Sequence, residues 1–234
     1  MHPVKRYLME VGERYQALPK EPLRVTAELG DAVITYHGVH LDALLAYVVM
    51  GEAMRTNWIR WSPNYVTVPL PLDDVWRSET GVPLWASTDL LPEGEAVKDV
   101  MYLHRRAIEP TMSTRNIRTT AGRHKEKRTP MPVLVNKRLS AVCIGSGEEI
   151  ARLLSSVSAI GKKNTVAGTV LRWLIEPITE FSFWGPDERA LRPVPLDYLG
   201  LAQFETPSAV EIGYSPPYWY AETRAWCVPT GSTP

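Results

Sequence analysis

Residues 146–177 read SGEEIARLLSSVSAIGKKNTVAGTVLRWLIEP, and their order is helix, glycine, lysine pair, strand. Ser146 and Glu149 have capping-box spacing, while Ile150, Leu153, Leu154 and Val157 recur at i, i+3, i+4 and i+7. A helix is therefore expected to start at Ser146 and bury one stripe. Gly161 is expected to end it. Lys162, Lys163 and Asn164 follow before Gly168, after which Val170, Leu171, Trp173 and Ile175 read as a well-buried strand. Positive charge is thus concentrated on a helix-to-strand turn, and two readings are open. The lysines complement the negative end of the helix dipole, or they hold an anion. A Walker loop is excluded, because it needs a spaced upstream glycine, a Ser or Thr after the lysine and a helix beginning at the loop. Phosphate at this turn would meet ammonium groups and glycine-exposed amides, a geometry suited to a polynucleotide backbone.

Working outward, residues 139–144 read as the strand that feeds this helix, and Leu23, Val25, Ala27 and Leu29 alternate as a first strand. Gly30 and Asp31 turn the chain, with residues 33–36 as a short partner strand. Leu41, Leu44, Leu45 and Val48 then give a helix an apolar face ending near Gly51. Further strands are expected at 65–69, 84–88 and 97–103. At the N-terminus Val4, Tyr7, Leu8, Val11, Tyr15 and Leu18 have helical spacing ahead of Pro19 and Pro22, which predicts an appended amphipathic helix and a connector. From Pro177 onward the chain holds nine of its twenty prolines and repeated aromatic residues, so short strands and proline turns are expected there rather than helices.

Formal net charge is zero, but its distribution is lopsided. Between 104 and 138, Arg105, Arg106, Arg115, Arg118, Arg123, Lys125, Lys127, Arg128, Lys137 and Arg138 face only Glu109 and Glu126. Within 111–132 small polar residues, glycine and proline separate the cations and large apolar residues are scarce. That composition reads as an extended basic arm without its own core. A second mixture, Arg55, Asn57, Trp58, Arg60 and Trp61, follows the first core helix and combines the stacking rings and cations that single-stranded RNA recognition uses. The spacing of Trp58 and Trp61 equally fits one buried helical face.

Other function classes are poorly served. A chain of 234 residues with 44% hydrophobic content can bury roughly 70% of its unfolded surface. Cys143 and Cys227 make neither a metal nor a disulfide pattern, so no metal and no cofactor are expected. The longest apolar run, 43–50, is too short to span a bilayer, and Lys5, Arg6, Glu10, Glu13 and Arg14 stand where a signal peptide is apolar. A cytoplasmic protein with no membrane role is expected. Tyr36, His37, His40 and His104 are the candidates for proton transfer; His40 reads as a cap or hydrogen-bonded core residue, His37 and His104 remain candidate bases, and no catalytic site is assigned.

The segment 146–177, with the 139–144 strand, the 23–29 strand and the following His40-Leu41-Asp42-Ala43-Leu44-Leu45-Ala46, resembles the RAMP superfamily of CRISPR-associated proteins. It is most similar to the Cas-five-type subunit of type IV systems. One departure is that Val166 and Ala167 precede Gly168 where such loops often carry an additional glycine. The resemblance implies an α+β fold: an RRM-like (ferredoxin-like) RAMP domain at 23–177 with the basic arm inserted at 104–138. An N-terminal helix and connector at 1–22 precede it, and a Pro/aromatic-rich C-terminal β extension at 178–234 follows. It further implies a non-catalytic subunit that binds the 5′ handle of the CRISPR RNA through Lys162, Lys163, Asn164, the arm cations and Trp58, Arg60 and Trp61. Its implied partners are the backbone and large subunits and, through the assembled complex, target DNA. Because some relatives cut RNA without metal, a metal-independent endoribonuclease acting on precursor CRISPR RNA is the alternative.

Overall fold

The computed structural model describes residues 2–35, 38–54, 66–105, 127–162 and 167–234. In chain order these form α1 (Pro3–Gln16), β1 (Glu21–Leu29), β2 (Val33–Ile34), β3 (Val39–His40), α2 (Leu41–Met54), β4 (Asp74–Arg77) and β5 (Pro83–Trp85). Then come β6 (Asp89–Pro92), β7 (Val97–Arg105), β8 (Lys127–Val135), β9 (Arg138–Gly145), α3 (Gly147–Leu154) and β10 (Val170–Pro177). The chain closes with β11 (Val194–Pro195), α4 (Leu196–Leu199), β12 (Val210–Gly213) and β13 (Arg224–Val228).

Strict alternation in β1 and β9 makes the central sheet. Leu23, Val25 and Ala27 pair with Cys143, Ala141 and Leu139, and all six are buried on one face. Arg24, Thr26 and Glu28 share the opposite face with Val142, Ser140 and Arg138. The sheet runs β10-β1-β9-β6-β3 with every neighbouring pair antiparallel. Helices α2 and α3 bury Leu41, Leu45, Val49, Ile150, Leu153 and Leu154 in the same core as the inner face of β1 and β9. The protein is thus α+β with a mostly antiparallel sheet, an arrangement compatible with an RRM-like fold.

The expected strand at 170–175 forms as β10, but it lies at the sheet edge. Only Val170 is fully buried, Trp173 and Ile175 are half-buried, and Leu171 is 68% exposed. The expected helix at 146 also forms, but it ends at Leu154, well before Gly161. Ser155 and Ser156 turn their hydroxyls back to the carbonyls of Arg152 and Leu153, at 2.7 and 2.8 Å, and this competes with continuation of the helix. Ser146 occupies the N-cap without a side-chain bond, and the reciprocal half of the box is also absent: the Ser146 amide donates to Pro71 O at 2.9 Å while the Glu149 carboxylate pairs with Arg14 and Arg152. Residues 66–70 are irregular, not a strand.

Helix α1 buries Val4, Leu8, Val11 and Tyr15 against the main core, as its spacing predicts. Residues from 181 onward gather Phe183, Val194, Leu196, Tyr214 and Cys227 into a second cluster with Val82 and Leu84. The expectation of no helix there fails for the single turn α4, which Gly200 closes in the left-handed conformation, and for a 3-10 turn at Ala221–Thr223. Among the described residues no helix is long and apolar enough to cross a membrane.

A charged clamp ties the three helices. Arg152 of α3 donates to Glu52 of α2 at 2.6 Å and to Glu149, while Tyr7 of α1 donates to the same Glu52 at 2.9 Å. The hydrogen bond from Arg152 holds the Glu52 carboxyl below its ordinary 4.5, against the opposing effect of burial. A depressed carboxylate stabilises the fold above its unfolded pKa and loses that contribution as pH falls through the folded value. Replacing Arg152 by Gln should therefore cost about 1 kcal/mol at pH 7, a figure limited by the partial exposure of the pair. The gap between parent and variant should narrow as pH falls below the ordinary carboxylate range and vanish once Glu52 is protonated in the folded protein. A series of urea titrations from pH 7 into the acid limit of the fold checks this, and a gap that does not narrow with acidification contradicts it.

Candidate nucleic-acid interface

Backbone hydrogen bonds close the base of the basic loop. Ile160 N donates to Gly168 O at 2.8 Å, Lys162 N to Ile34 O at 2.7 Å, and Gly168 N to Ala32 O at 2.8 Å. Asp31 adds a side-chain anchor: its Oδ1 accepts from the amides of Gly168 and Thr169, both at 2.7 Å, and its Oδ2 from the Thr169 hydroxyl at 2.9 Å. Both glycines are needed here. Gly161 and Gly168 have φ of +82° and +84°, and a Cβ on them would stand 2.6 Å from Ile34 O and 2.0 Å from Ile160 O. Lys162 projects from this pinned base as an exposed residue, while Lys163 and Asn164 lie outside the described residues.

Position bears on the dipole reading of Lys162. Helix α3 ends at Leu154, and Lys162 comes eight residues later, whereas the helix dipole acts within about the last turn. The charge at Lys162 therefore does not complement the dipole of α3.

Part of the basic segment is ordered β structure. Strands β7 and β8 pair over nine residues from Val97↔Val135 to Arg105↔Lys127, so residues 127–132 belong to a ribbon and not to a coreless arm. Met131 and Val133 on one ribbon face pack with Ile34 and Ala167, and Met101 and Leu103 join them. Strand β2 pairs with β8 through Val33↔Leu134 and Ile34↔Val133. Ribbon and loop are consequently rooted on the same short stretch, because Ile34 also takes the Lys162 amide and neighbouring Ala32 takes that of Gly168.

The remaining predicted contacts are scattered. Arg105 and Lys127 end the two ribbon strands. Arg128 is exposed with its guanidinium 3.9 Å from the centre of the Tyr102 ring. Arg106, Arg115, Arg118, Arg123 and Lys125 lie outside the described residues, as do Tyr36, His37, Arg55, Asn57, Trp58, Arg60 and Trp61. Lys137 and Arg138 line an open groove of about 740 Å³ whose walls also carry Glu28, Asp31, Glu93 and Glu95. Glu28 accepts from Arg172 Nε at 2.5 Å and from Arg138 at 2.6 Å; Arg172 first, then Arg138, holds its carboxyl below the ordinary range. Arg138 is thereby committed to a carboxylate.

His40, expected as a cap or core residue, sets Nδ1 2.5 Å from Asp89 Oδ1 and stacks on Tyr218 with ring centres 3.9 Å apart. Asp89 also accepts from the Thr230 hydroxyl at 2.8 Å. His104 stands exposed on β7. Sequence reasoning missed Asp31 and Tyr102. A turn-forming Gly-Asp pair is the only sequence signal for the first, and alternation through Val100, Tyr102 and His104 is the signal for the second.

No family model matches the chain, and no curated protein matches it. Among solved structures, one similar chain belongs to a complex described as the type III-B Cmr-beta bound to cognate target RNA, determined by cryo-electron microscopy. Identity is 9%, the TM-score is 0.32, and the match covers 74% of this chain. The chain spans 66% of that neighbour's length.

The loop base yields a stability prediction. Gly81 has the same left-handed backbone, φ +81°, with nothing within 4 Å of a built Cβ. Gly81→Ala should cost about 1 kcal/mol through backbone strain alone, and Gly168→Ala, with the Ile160 carbonyl in the way, at least about 2 kcal/mol. Denaturant midpoints of the two variants check the difference; equal losses would show that the carbonyl yields without cost.

Proposed function

We propose that this chain is a non-catalytic guide-RNA-binding subunit of a CRISPR effector ribonucleoprotein, of the Cas-five type and from a type IV system. It holds the 5′ handle of the CRISPR RNA and caps one end of the backbone filament. The observation that carries this reading is the shared root of the two basic segments: strand β2 anchors both the 161–168 loop and the β7–β8 ribbon. The order β1-α2-β6-β9-α3-β10 in the chain, folded as β10-β1-β9-β6 in the sheet, supports an RRM-like (ferredoxin-like) RAMP core.

In this reading the pinned loop positions one stretch of phosphates, and the arm cations supply looser contacts along the backbone. Sequence recognition of target DNA falls to base pairing by the guide, while this subunit reads handle shape and backbone. The backbone subunit along the spacer and the large subunit beside the handle are its protein neighbours.

Two sets of substitutions separate the roles. Changing Lys162 and Lys163 to Ala should reduce the preference for handle-bearing over handle-less RNA. Changing Arg115, Arg118, Arg123, Lys125, Lys127 and Arg128 to Ala should weaken both RNAs alike and flatten the salt dependence. With about four phosphate contacts at a slope of roughly −0.7 each, the parent should lose on the order of 50-fold in affinity between 50 and 200 mM salt. Competition binding at both salt concentrations reads both effects. Full handle preference in the lysine double variant would remove the loop from the site, and an unchanged salt slope would remove the arm.

A metal-independent endoribonuclease acting on precursor CRISPR RNA is the alternative, with His104, exposed on β7, as a described residue capable of proton transfer. The first reading expects repeat RNA to remain intact in chelator over hours. Specific scission that disappears in His37→Ala or His104→Ala would replace it with the second.

A further inference from the structure

A subunit that contacts single-stranded RNA needs somewhere to place bases, and the central sheet does not supply it. RRM-type sheets stack bases on aromatic residues of the exposed face. Here the face turned away from α2 and α3 carries Arg24, Thr26 and Glu28 on β1, Ser140 and Val142 on β9, and Arg172 and Leu174 on β10. None of these is aromatic, and Glu28 at its centre is bracketed by two arginines.

The ribbon offers what the sheet lacks. Its inner face packs Met101, Met131 and Val133 toward Ile34, so the outer face is set by the alternate positions. There Tyr102 stands opposite Pro130, and His104 opposite Arg128, with Lys98 and Val100 on the same side. None of the positions that the register places on this face is Asp or Glu. Tyr102 is 47% exposed although it is an aromatic residue in the middle of a nine-residue strand, and the Arg128 guanidinium lies 3.9 Å from its ring centre. An exposed ring joined to a planar cation, on a face without carboxylates among the described residues, complements a nucleobase and its phosphate together.

We propose that Tyr102 and Arg128 form a stacking platform for an unpaired base of single-stranded RNA on the outer face of the β7–β8 ribbon. This rests on the RNA-binding reading and adds to it a base contact outside the loop and the sheet. Stacking needs a flat ring and is indifferent to the tyrosine hydroxyl, whereas the phosphate contact needs only charge.

The test compares a twelve-residue oligo(U) with an abasic ribose-phosphate oligomer of the same length and charge, both fluorescently labelled, with the full chain. The parent should bind oligo(U) on the order of tenfold more tightly than the abasic oligomer. Tyr102→Ala should bring that ratio close to one while leaving the abasic affinity unchanged. Tyr102→Phe should keep the ratio, and Arg128→Lys should lower it with little effect on the abasic oligomer. Unaltered thermal midpoints establish that these exposed substitutions leave the fold intact. A parental ratio that survives in Tyr102→Ala overturns the platform while leaving the phosphate reading standing, because both oligomers still bind. Failure of the parent to bind either oligomer overturns the platform and the RNA-binding reading together.

Discussion

Two residues hold the candidate interface together. Strand β2 consists of Val33 and Ile34, and alternation sends their side chains in opposite directions: Val33 into the main core and Ile34 into the small cluster under the ribbon. Both are fully buried. Their backbone is equally committed, since both residues pair with β8 and the Ile34 carbonyl also takes the Lys162 amide. A buried peptide group left without a partner is costly, so the ribbon and the loop cannot move apart without exposing unsatisfied groups on this strand. The two basic segments, far apart in sequence, are thereby held in one place.

A second constraint joins the C-terminal part to the main body. Arg192 is 1% exposed, and its guanidinium donates to the carbonyls of Trp85 and Ser87 at 2.9 and 2.8 Å, to Asp42 at 3.1 Å, to Tyr218 Oη at 3.1 Å and to the Tyr214 carbonyl. Burial by itself works against this charge. Tyr218 and the carboxylates of Asp42 and Asp89 outweigh that effect, and the pKa of Arg192 is raised above its ordinary value. A buried cation is costly unless its donors are answered; here the two terminal nitrogens are, while Nε is buried without a partner, and the answering groups come from the start of α2, the β5–β6 connection and the C-terminal segment. His40 belongs to the same joint through Asp89 and its stack on Tyr218. That is the structural role its sequence context suggests.

The sequence was most informative where one face of an element meets a core. The stripe Ile150, Leu153, Leu154 and the alternation Leu23, Val25, Ala27 each have one burial solution, and α3 and β1 adopt it. The end of α3 was not legible, because Val157 prolongs the apolar stripe while the two serines that stop the helix act through bonds to their own backbone. The ribbon was hidden by its composition. Pro130, Pro132 and closely spaced cations look like a loop, yet β8 forms because β7 lies beside it, and that pairing reaches across the intervening chain. Nothing local announces that Asp31 will bind the amides of residues 168 and 169, or that Arg192 will find Asp42, since each contact spans well over a hundred positions.

Electrostatics shapes what remains of the surface. Net charge is zero, so the cations of the arm are matched elsewhere, and the structure shows several of the matching carboxylates close to the loop: Glu28, Asp31, Glu93 and Glu95 line the same groove as Lys137 and Arg138. A polyanion entering that groove would meet more negative than positive groups at short range. Glu28 already consumes two arginines, and Asp31 is occupied with the loop amides. In the RNA-binding reading proposed above, phosphate is better accommodated beyond the groove, on the side of Lys162 and the ribbon cations. The acidic groove is then a boundary that keeps the backbone on the outer side of the ribbon and loop, because like charges placed opposite a phosphate raise the energy of any path across the sheet face.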